Sequence, residues 1–210
     1  MCIRDSLRSA NQGGCGEDRT REVRSRMIKK EVRVLGIASA SPHQRDSAST
    51  HVVGVVYRGN RWLEGVMRAV IPREQSNLTP ETARMVTRSP HLPQLRVIVL
   101  DELITRSGSY IDIKALSKKT RLPAVAVLRR VIPTKRLSNN RARNQLALEA
   151  LAGLPCRKWR AAGKTYFVYS IGLGGVDLDE LLGVCASREG LPEAARVARI
   201  TASSLQKFLA

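Results

Sequence analysis

The sequence predicts an α/β fold in which helices cover both faces of a mixed β-sheet. Three observations support this prediction. The first apolar, β-branched runs are spaced as a strand and a hairpin, which together make a three-stranded meander. Further apolar runs then alternate with amphipathic helical segments, a pattern typical of sheets covered on both faces. Two of the later strand candidates, 95–100 and 124–128, contain continuous apolar stretches, as expected for strands with no solvent-facing side.

The meander is predicted from three runs near the start of the chain. Residues 33–37 (RVLGI) form the first strand, and the small polar residues 38–50 that follow are a predicted loop. Residues 51–57 and 62–71 form a hairpin, because the Gly-Asn dipeptide between them is a turn sequence.

Helices and strands alternate in the rest of the chain. The predicted helices share apolar residues at helical spacing and cover 79–88, 111–119, 139–151, 178–186 and 192–209. The predicted strands share short apolar or alternating runs and cover 95–100, 124–128 and 164–171. The ribonuclease H-like fold opens with such a meander. Other α/β folds do so too, and the order of elements does not choose between them.

Residues 1–26 differ from the rest because they lack apolar periodicity. We expect them to be a disordered or artefactual extension and residues 27–210 to form a single domain, which is long enough to bury a sizeable core. The four cysteines include no C-x-x-C pair, and the chain has no export signal and no run of about 18 apolar residues. The sequence therefore predicts a cytoplasmic protein that does not enter a membrane, and it identifies no protein partner.

Positive charge is the strongest compositional feature. Lys and Arg number 36 against 18 Asp and Glu, and the formal net charge is +18. Between residues 114 and 164, fourteen basic residues are accompanied by one acid, Glu149. These positive charges repel one another, and a bound polyanion relieves that repulsion. Each phosphate contact also releases counterions. The composition therefore predicts a nucleic-acid partner, although a generally basic surface would leave the same signature.

Three blocks of sequence resemble the endonuclease dU family, whose members are relatives of endonuclease V. The blocks share the order and spacing of the family: 33–37, 54–59 and 62–65; then 95–101, 111–113 and 122–127; then 190–193, 196–198 and 202–203. Together they span roughly residues 31–206. The resemblance implies a ribonuclease H-like core and a metal-dependent DNA endonuclease that acts beside deaminated bases such as deoxyuridine, in DNA repair. It also implies Mg²⁺ or Mn²⁺, which are held best by converging carboxylates.

Several positions depart from the family pattern. Ala38 and Ser39 stand where the first strand of the family leads into an acidic pair. Glu74 and Asn77 are the nearest matches to the two acids at the end of the hairpin. Arg199 stands where the final helix usually carries His. The resemblance therefore implies an endonuclease with reduced or lost activity. The alternatives are a nucleic-acid-binding module that kept only the basic surface, and an RNA-associated protein of similar architecture.

Asp101 is the best candidate for a catalytic residue and metal ligand. It directly follows a predicted buried strand, and α/β sheets bind ligands at the carboxyl ends of their strands. Glu74 and Asp112 complete the candidate catalytic set, and Glu74 and Glu102 are the candidate metal ligands beside Asp101. The structural alternatives are that Asp101 caps a turn and that Asp112 begins a helix.

The nucleic-acid-binding candidates are basic residues of the basic span. Arg129 and Arg130 end a predicted strand, and Arg141 and Arg143 lie in a predicted helix. The predicted loop before the next strand presents Lys158, Arg160 and Lys164. Arg129 and Arg130 would share an edge of the sheet with Asp101 if their two strands are parallel, and the guanidinium group suits phosphate geometry. Trp159, among the later cations, either stacks on an unpaired base or packs in the core.

Overall fold

A computed structural model describes residues 30–40, 49–105, 108–131, 145, 147–150 and 152–208. The strands are β1 (Arg33–Ala40), β2 (Ser49–Arg58), β3 (Trp62–Pro72), β4 (Val97–Leu100), β5 (Ala124–Leu128), β6 (Cys156–Ala161) and β7 (Lys164–Ile171). The helices bounded within these residues are α1 (Thr79–Thr87), α2 (Ile113–Thr120), α3 (Gly175–Cys185) and α4 (Glu193–Phe208), with a 3₁₀ turn at Leu92–Gln94. The predicted extension over 1–26 lies outside the described residues.

The seven strands form one mixed sheet in the order β3-β2-β1-β4-β5-β7-β6. β1, β2 and β3 are the antiparallel meander, and β4 and β5 add to it parallel to β1. β7 and β6 then complete the sheet with antiparallel pairings. The predicted architecture, a meander followed by alternating helices and strands, is confirmed.

Helices cover both faces of this sheet, because successive side chains of a strand point to opposite sides. On one face, Leu35 and Ile37 belong to a buried cluster that includes residues of α1 and α2. On the other face, Val34 packs in a cluster with α3 and the start of α4. Every residue of β4 and β5 is buried, as their uninterrupted apolar sequences predict. Among the described helices, none has both the length and the apolarity that crossing a membrane requires.

Three of the sequence-based assignments need correction or completion. The segment before β7 is strand β6 rather than a loop, and its polar sequence reflects its place at the sheet edge, where charged side chains discourage pairing with other chains. β1 continues to Ala40, beyond the predicted end at residue 37, because its small residues pack beneath α4. Of the helix predicted over 139–151, residues 145 and 147–150 are described and helical.

Close packing of α4 on β1 depends on residues without bulky side chains. A Cβ atom added to Gly36 would lie 2.0 Å from the carbonyl carbon of Ala194, so only glycine allows the helix backbone to come this near. Further along the helix, Ala198 and Ala202 are fully buried in a cluster with Ala38 of β1. The chain therefore brings α4 into direct contact with the strand, and this contact fixes where the side chains of α4 lie.

We predict that Gly36→Ala lowers the free energy of unfolding by about 1–3 kcal/mol or more, because the added methyl group overlaps the backbone of α4. Urea denaturation of the two proteins measures this difference. Gly183→Ala is the matched control: Gly183 is exposed on α3, its added Cβ meets no atom within 4 Å, and the change should stabilise the helix by up to about 1 kcal/mol. Equal stability of the Gly36→Ala variant and the wild type would contradict the packing described.

Candidate functional site

Asp101 lies at the edge of the sheet where β1, β4 and β5 end, which we call the carboxyl edge. It directly follows β4, and its side chain is only 3% exposed. The register of β1 and β4 pairs Ile37 with Leu100, so that the next residues, Ala38 and Asp101, lie side by side. An acid at position 38 would therefore adjoin Asp101, whereas Ala38 is buried there against α4.

Arg199 of α4 provides the charge opposite Asp101. Its Nη1 atom lies 3.1 Å from Oδ2 of Asp101, which is ion-pair distance. The contact lacks hydrogen-bond geometry, however, and Oδ2 accepts no hydrogen bond from the described residues. Arg199 and Asp101 therefore interact through their charges alone. The buried Oδ2 atom of Asp101 can still accept a hydrogen bond.

Burial controls the ionisation of Asp101. Removal from water raises the pKa of its carboxyl group from the ordinary value of 3.8 to about 6. The positive charge of Arg199, a backbone hydrogen bond and the charge of Arg129 oppose this shift without cancelling it. The ionised carboxylate is therefore held in the fold at a net electrostatic cost. Strongly perturbed carboxyl groups of this kind are concentrated at functional sites.

The other candidate acids are distributed differently. Asp112 caps α2, where its Oδ1 accepts hydrogen bonds from the backbone N–H groups of Lys114 at 2.8 Å and Ala115 at 3.1 Å. Glu74 is exposed in the turn after β3, and Glu102 is half-buried next to Asp101 in sequence. Within the described part of the chain, no three His, Cys, Asp or Glu residues form a group that could hold a metal ion. The structure thus supports the capping role for Asp112 and does not gather the predicted ligands.

Several candidate cations share the carboxyl edge with Asp101. β5 is parallel to β4, as assumed from the sequence, so Arg129 and Arg130 follow its end at that edge. β7 is antiparallel to β5, and β6 is antiparallel to β7. The start of β7 at Lys164 and the end of β6 at Arg160 therefore lie at the same edge. These four residues are exposed, as is Lys158 on β6. Arg141 and Arg143 lie outside the described residues.

Other cations of the basic span lie elsewhere. Lys118, Lys119 and Arg121 are exposed at the end of α2, where the chain returns to the opposite edge before β5. Arg157 on β6 faces α3 and forms an ion pair with Asp179. The basic span is therefore divided between two edges, and only part of it can accompany Asp101.

Trp159 is a packing residue. Its ring centroid lies 5.7 Å from that of Tyr166, with the planes tilted by 41°, and it packs against the cluster beneath α3. Tyr166 is in turn anchored, because its hydroxyl group donates a hydrogen bond of 2.7 Å to the backbone carbonyl of Glu189. Of the two alternatives from the sequence, the structure supports packing over base stacking.

Comparison with known proteins identifies the family. The sequence model of the family described as endonuclease dU matches residues 30–206. The chain belongs to the endonuclease dU family. A relative in Methanopyrus kandleri, a UPF0215 protein, is 34% identical over 192 residues, which cover 87% of this chain and 95% of the relative.

Solved structures show the same fold as this endonuclease dU family member. A protein of unknown function from Archaeoglobus fulgidus has a TM-score of 0.66 at 24% identity and covers 83% of this chain and 98% of its own. Endonuclease V of Ciona intestinalis, in complex with DNA containing an inosine, has a TM-score of 0.57 at 11% identity. The match covers 85% of this chain and 87% of the Ciona chain. The ribonuclease H-like fold expected from the resemblance is thereby confirmed.

The metal ion that the family resemblance implies does not fit the residues present at the carboxyl edge. A hard divalent cation needs several oxygen ligands, and carboxylates balance its charge best. Beside Asp101, the endonuclease dU family member has the methyl group of Ala38, and the guanidinium group of Arg199 lies against the carboxylate. A fixed cation at 3.1 Å from Oδ2 repels a second one.

The contact between Arg199 and Asp101 was missed by sequence reasoning. The sequence shows only that Arg199 replaces the His of the family, and nothing in it indicates that the guanidinium reaches the strand-end carboxylate. Glu189, which lies 3.6 Å from Arg129, was missed as well. Both contacts join segments distant in the chain, and no local pattern reports them.

We predict that Asp101→Asn is more stable than the wild type above about pH 6, and that this advantage is absent below about pH 4. The folded protein binds the Asp101 proton more tightly than the unfolded chain, so this group makes the wild type less stable as the pH rises. The gap between 3.8 and about 6 corresponds to about 3 kcal/mol at most. Urea denaturation of both proteins across this pH range gives the difference. A difference that stays constant or reverses would contradict the burial of the carboxyl group.

Proposed function

We propose that this endonuclease dU family member binds DNA along the carboxyl edge of its sheet, with phosphodiester cleavage reduced or lost. The observation that carries the proposal is the contact between Asp101 and Arg199. A strand-end carboxylate is retained at the position that suits a nuclease, yet an arginine, and not a metal-binding set of acids, lies against it.

Binding is supported by the exposed cations at the carboxyl edge. Arg129, Arg130, Arg160 and Lys164 extend from β5 across β7 to β6, which is a width of three strands. Adjacent strands lie about 4.8 Å apart, so this row of charges is comparable in width to several backbone phosphates. Arginine donates parallel hydrogen bonds that match phosphate oxygens. The row therefore suits a polynucleotide backbone better than a single small anion.

DNA is favoured over other polyanions by family and fold. Endonuclease V of Ciona intestinalis has the same fold and was crystallised with DNA containing an inosine, a deaminated base. The family is described as endonuclease dU, and its name points to deoxyuridine, whose uracil is also a deaminated base. We therefore propose DNA that contains a deaminated base as the ligand, and DNA repair as the context.

Reduced cleavage follows from what phosphodiester hydrolysis needs. A metal ion in such sites activates the attacking water and stabilises the leaving oxygen. Neither the methyl group of Ala38 nor the guanidinium of Arg199 can ligate a cation. Arg199 can neutralise a phosphate but cannot act as a general base, because it stays protonated. The residues at the carboxyl edge thus support binding of the phosphate without activation of water.

A second candidate function is the full endonuclease reaction with Mg²⁺ or Mn²⁺. Asp101 favours it, since this buried strand-end carboxylate has an oxygen that accepts no hydrogen bond from the described residues. Glu102 and Glu74 would then be the further ligands, with Asp112 in a supporting catalytic role. These three roles remain predictions.

Binding at the carboxyl edge is tested by reversing one charge at each edge of the sheet. Arg160→Glu should weaken binding to duplex DNA by about fivefold or more and reduce the slope of log affinity against log salt by about 1. Arg61→Glu, in the exposed turn between β2 and β3 at the opposite edge, makes the same charge change and should have little effect. Fluorescence anisotropy of labelled DNA at several salt concentrations measures both quantities. Equal losses in the two variants would remove the carboxyl edge as the binding surface.

Loss of cleavage is tested with uracil-containing and plain duplex DNA in Mg²⁺ or Mn²⁺. We expect the wild type and Asp101→Ala to leave both DNAs intact to the same extent, because the carboxyl edge lacks a set of metal ligands. Gel electrophoresis of the products measures this. Metal-dependent cleavage by the wild type that disappears in Asp101→Ala would instead support the full endonuclease reaction.

A further inference from the structure

Arg199 has unused hydrogen-bonding capacity at the carboxyl edge. A guanidinium group has five N–H donors in one plane. One side of this group lies against Asp101, whose side chain is 3% exposed, while the Arg199 side chain is 39% exposed. Among the described residues, Arg199 forms no ion pair except that with Asp101. The donors that do not face Asp101 are therefore open to a ligand from solvent.

Arg129 is a second guanidinium close to the same carboxylate. It follows β5, the strand next to β4, and its positive charge acts on Asp101. Its partner is Glu189 at 3.6 Å, and both side chains are about half exposed, at 50% and 52%. Exposed ion pairs of this kind contribute little. Arg129 can therefore exchange Glu189 for a more strongly bound anion.

We propose that Arg199 and Arg129 form a metal-independent site for one phosphate of the DNA backbone, in which Asp101 is a positioning residue that holds the Arg199 guanidinium. The inference rests on the proposed function and adds to it the phosphate and the residues that bind it. The Arg199 guanidinium takes over the charge-neutralising role of a metal ion without its ability to activate water.

The electrostatics support this assignment over a purely structural role for the pair. The negative charge of Asp101 offsets the positive potential of Arg199 mainly on the buried side of the pair, where the carboxylate lies. On the solvent side, the guanidinium is open and its potential stays positive. A phosphate that approaches from solvent meets the cation first. Burying a carboxylate such as that of Asp101 is also a poor means of stabilising a fold, since apolar residues of similar size often do as well.

The site is tested by Arg199→Gln, which removes the charge and keeps a side chain of similar length. In EDTA, we expect duplex DNA to bind this variant about tenfold more weakly than the wild type, as for loss of one charge-assisted contact. The slope of log affinity against log salt should fall by about 1, a change that a loss of stability alone would not cause. Fluorescence anisotropy measures both, and circular dichroism confirms folding.

Arg196→Gln is the matched control. Arg196 lies one turn earlier on α4 and forms an ion pair with Glu193, so the same change removes one charge from the same helix. The charges that act on Asp101 are those of Arg199 and Arg129. Its affinity for DNA should stay within about twofold of the wild type. Equal affinities of Arg199→Gln and the wild type, or equal losses in the two variants, would overturn the proposed phosphate site.

Independence from metal is tested with the wild type alone. DNA affinity in EDTA should be no lower than in Mg²⁺, and Mn²⁺ titrated into the free protein should give the same electron paramagnetic resonance signal with the wild type as with Asp101→Asn. Mn²⁺ binding that Asp101→Asn abolishes, or DNA binding that requires Mg²⁺, would overturn the assignment.

The outcomes separate this inference from the proposed function. If the wild type fails to bind DNA even at low salt, both the proposed function and the phosphate site are wrong. If the wild type binds DNA and Arg160→Glu weakens that binding while Arg199→Gln does not, the proposed function stands and the phosphate site alone is wrong.

Discussion

The contact between α4 and β1 is the constraint on which the candidate site depends. Gly36 leaves room for the helix backbone at Ala194, and the alanines further along both elements continue this close approach toward the carboxyl edge. Because side chains three and four residues apart lie on one helix face, Ala198 and Ala202 face the strand while Arg199 reaches sideways to β4. Larger residues in this contact would move the guanidinium away from the carboxylate.

The same contact determines the chemistry at the carboxyl edge. Burial beneath α4 removes Asp101 from water, and Arg199 compensates only part of the resulting cost. An apolar pair in place of two buried charges is often as stable or more stable. The ligand proposed above would account for the presence of both charges at these strand ends. A DNA phosphate fits, because the positive member of the pair is the one that faces solvent.

Much of the fold could be predicted from local sequence, whereas the contacts of the site could not. Apolar runs and turn residues locate β2, β3, β4, β5 and β7, because these signals act over a few neighbouring residues. β6 was missed since an edge strand rich in Arg and Lys carries no apolar signal. Asp101 was identified by its position after a buried strand, but its partner Arg199 lies 98 residues further along the chain. Such a pairing arises from helix packing, which no local pattern encodes.

The Arg199 guanidinium lies beside Asp101 in the place that a metal ion would need. Crystals soaked in Mn²⁺ and measured at a wavelength where manganese scatters anomalously distinguish the two cations. We expect no anomalous density beside Asp101 and the Arg199 guanidinium in contact with the carboxylate. A manganese peak at the Asp101 carboxylate, with Arg199 turned away from it, would show that the site holds a metal ion instead.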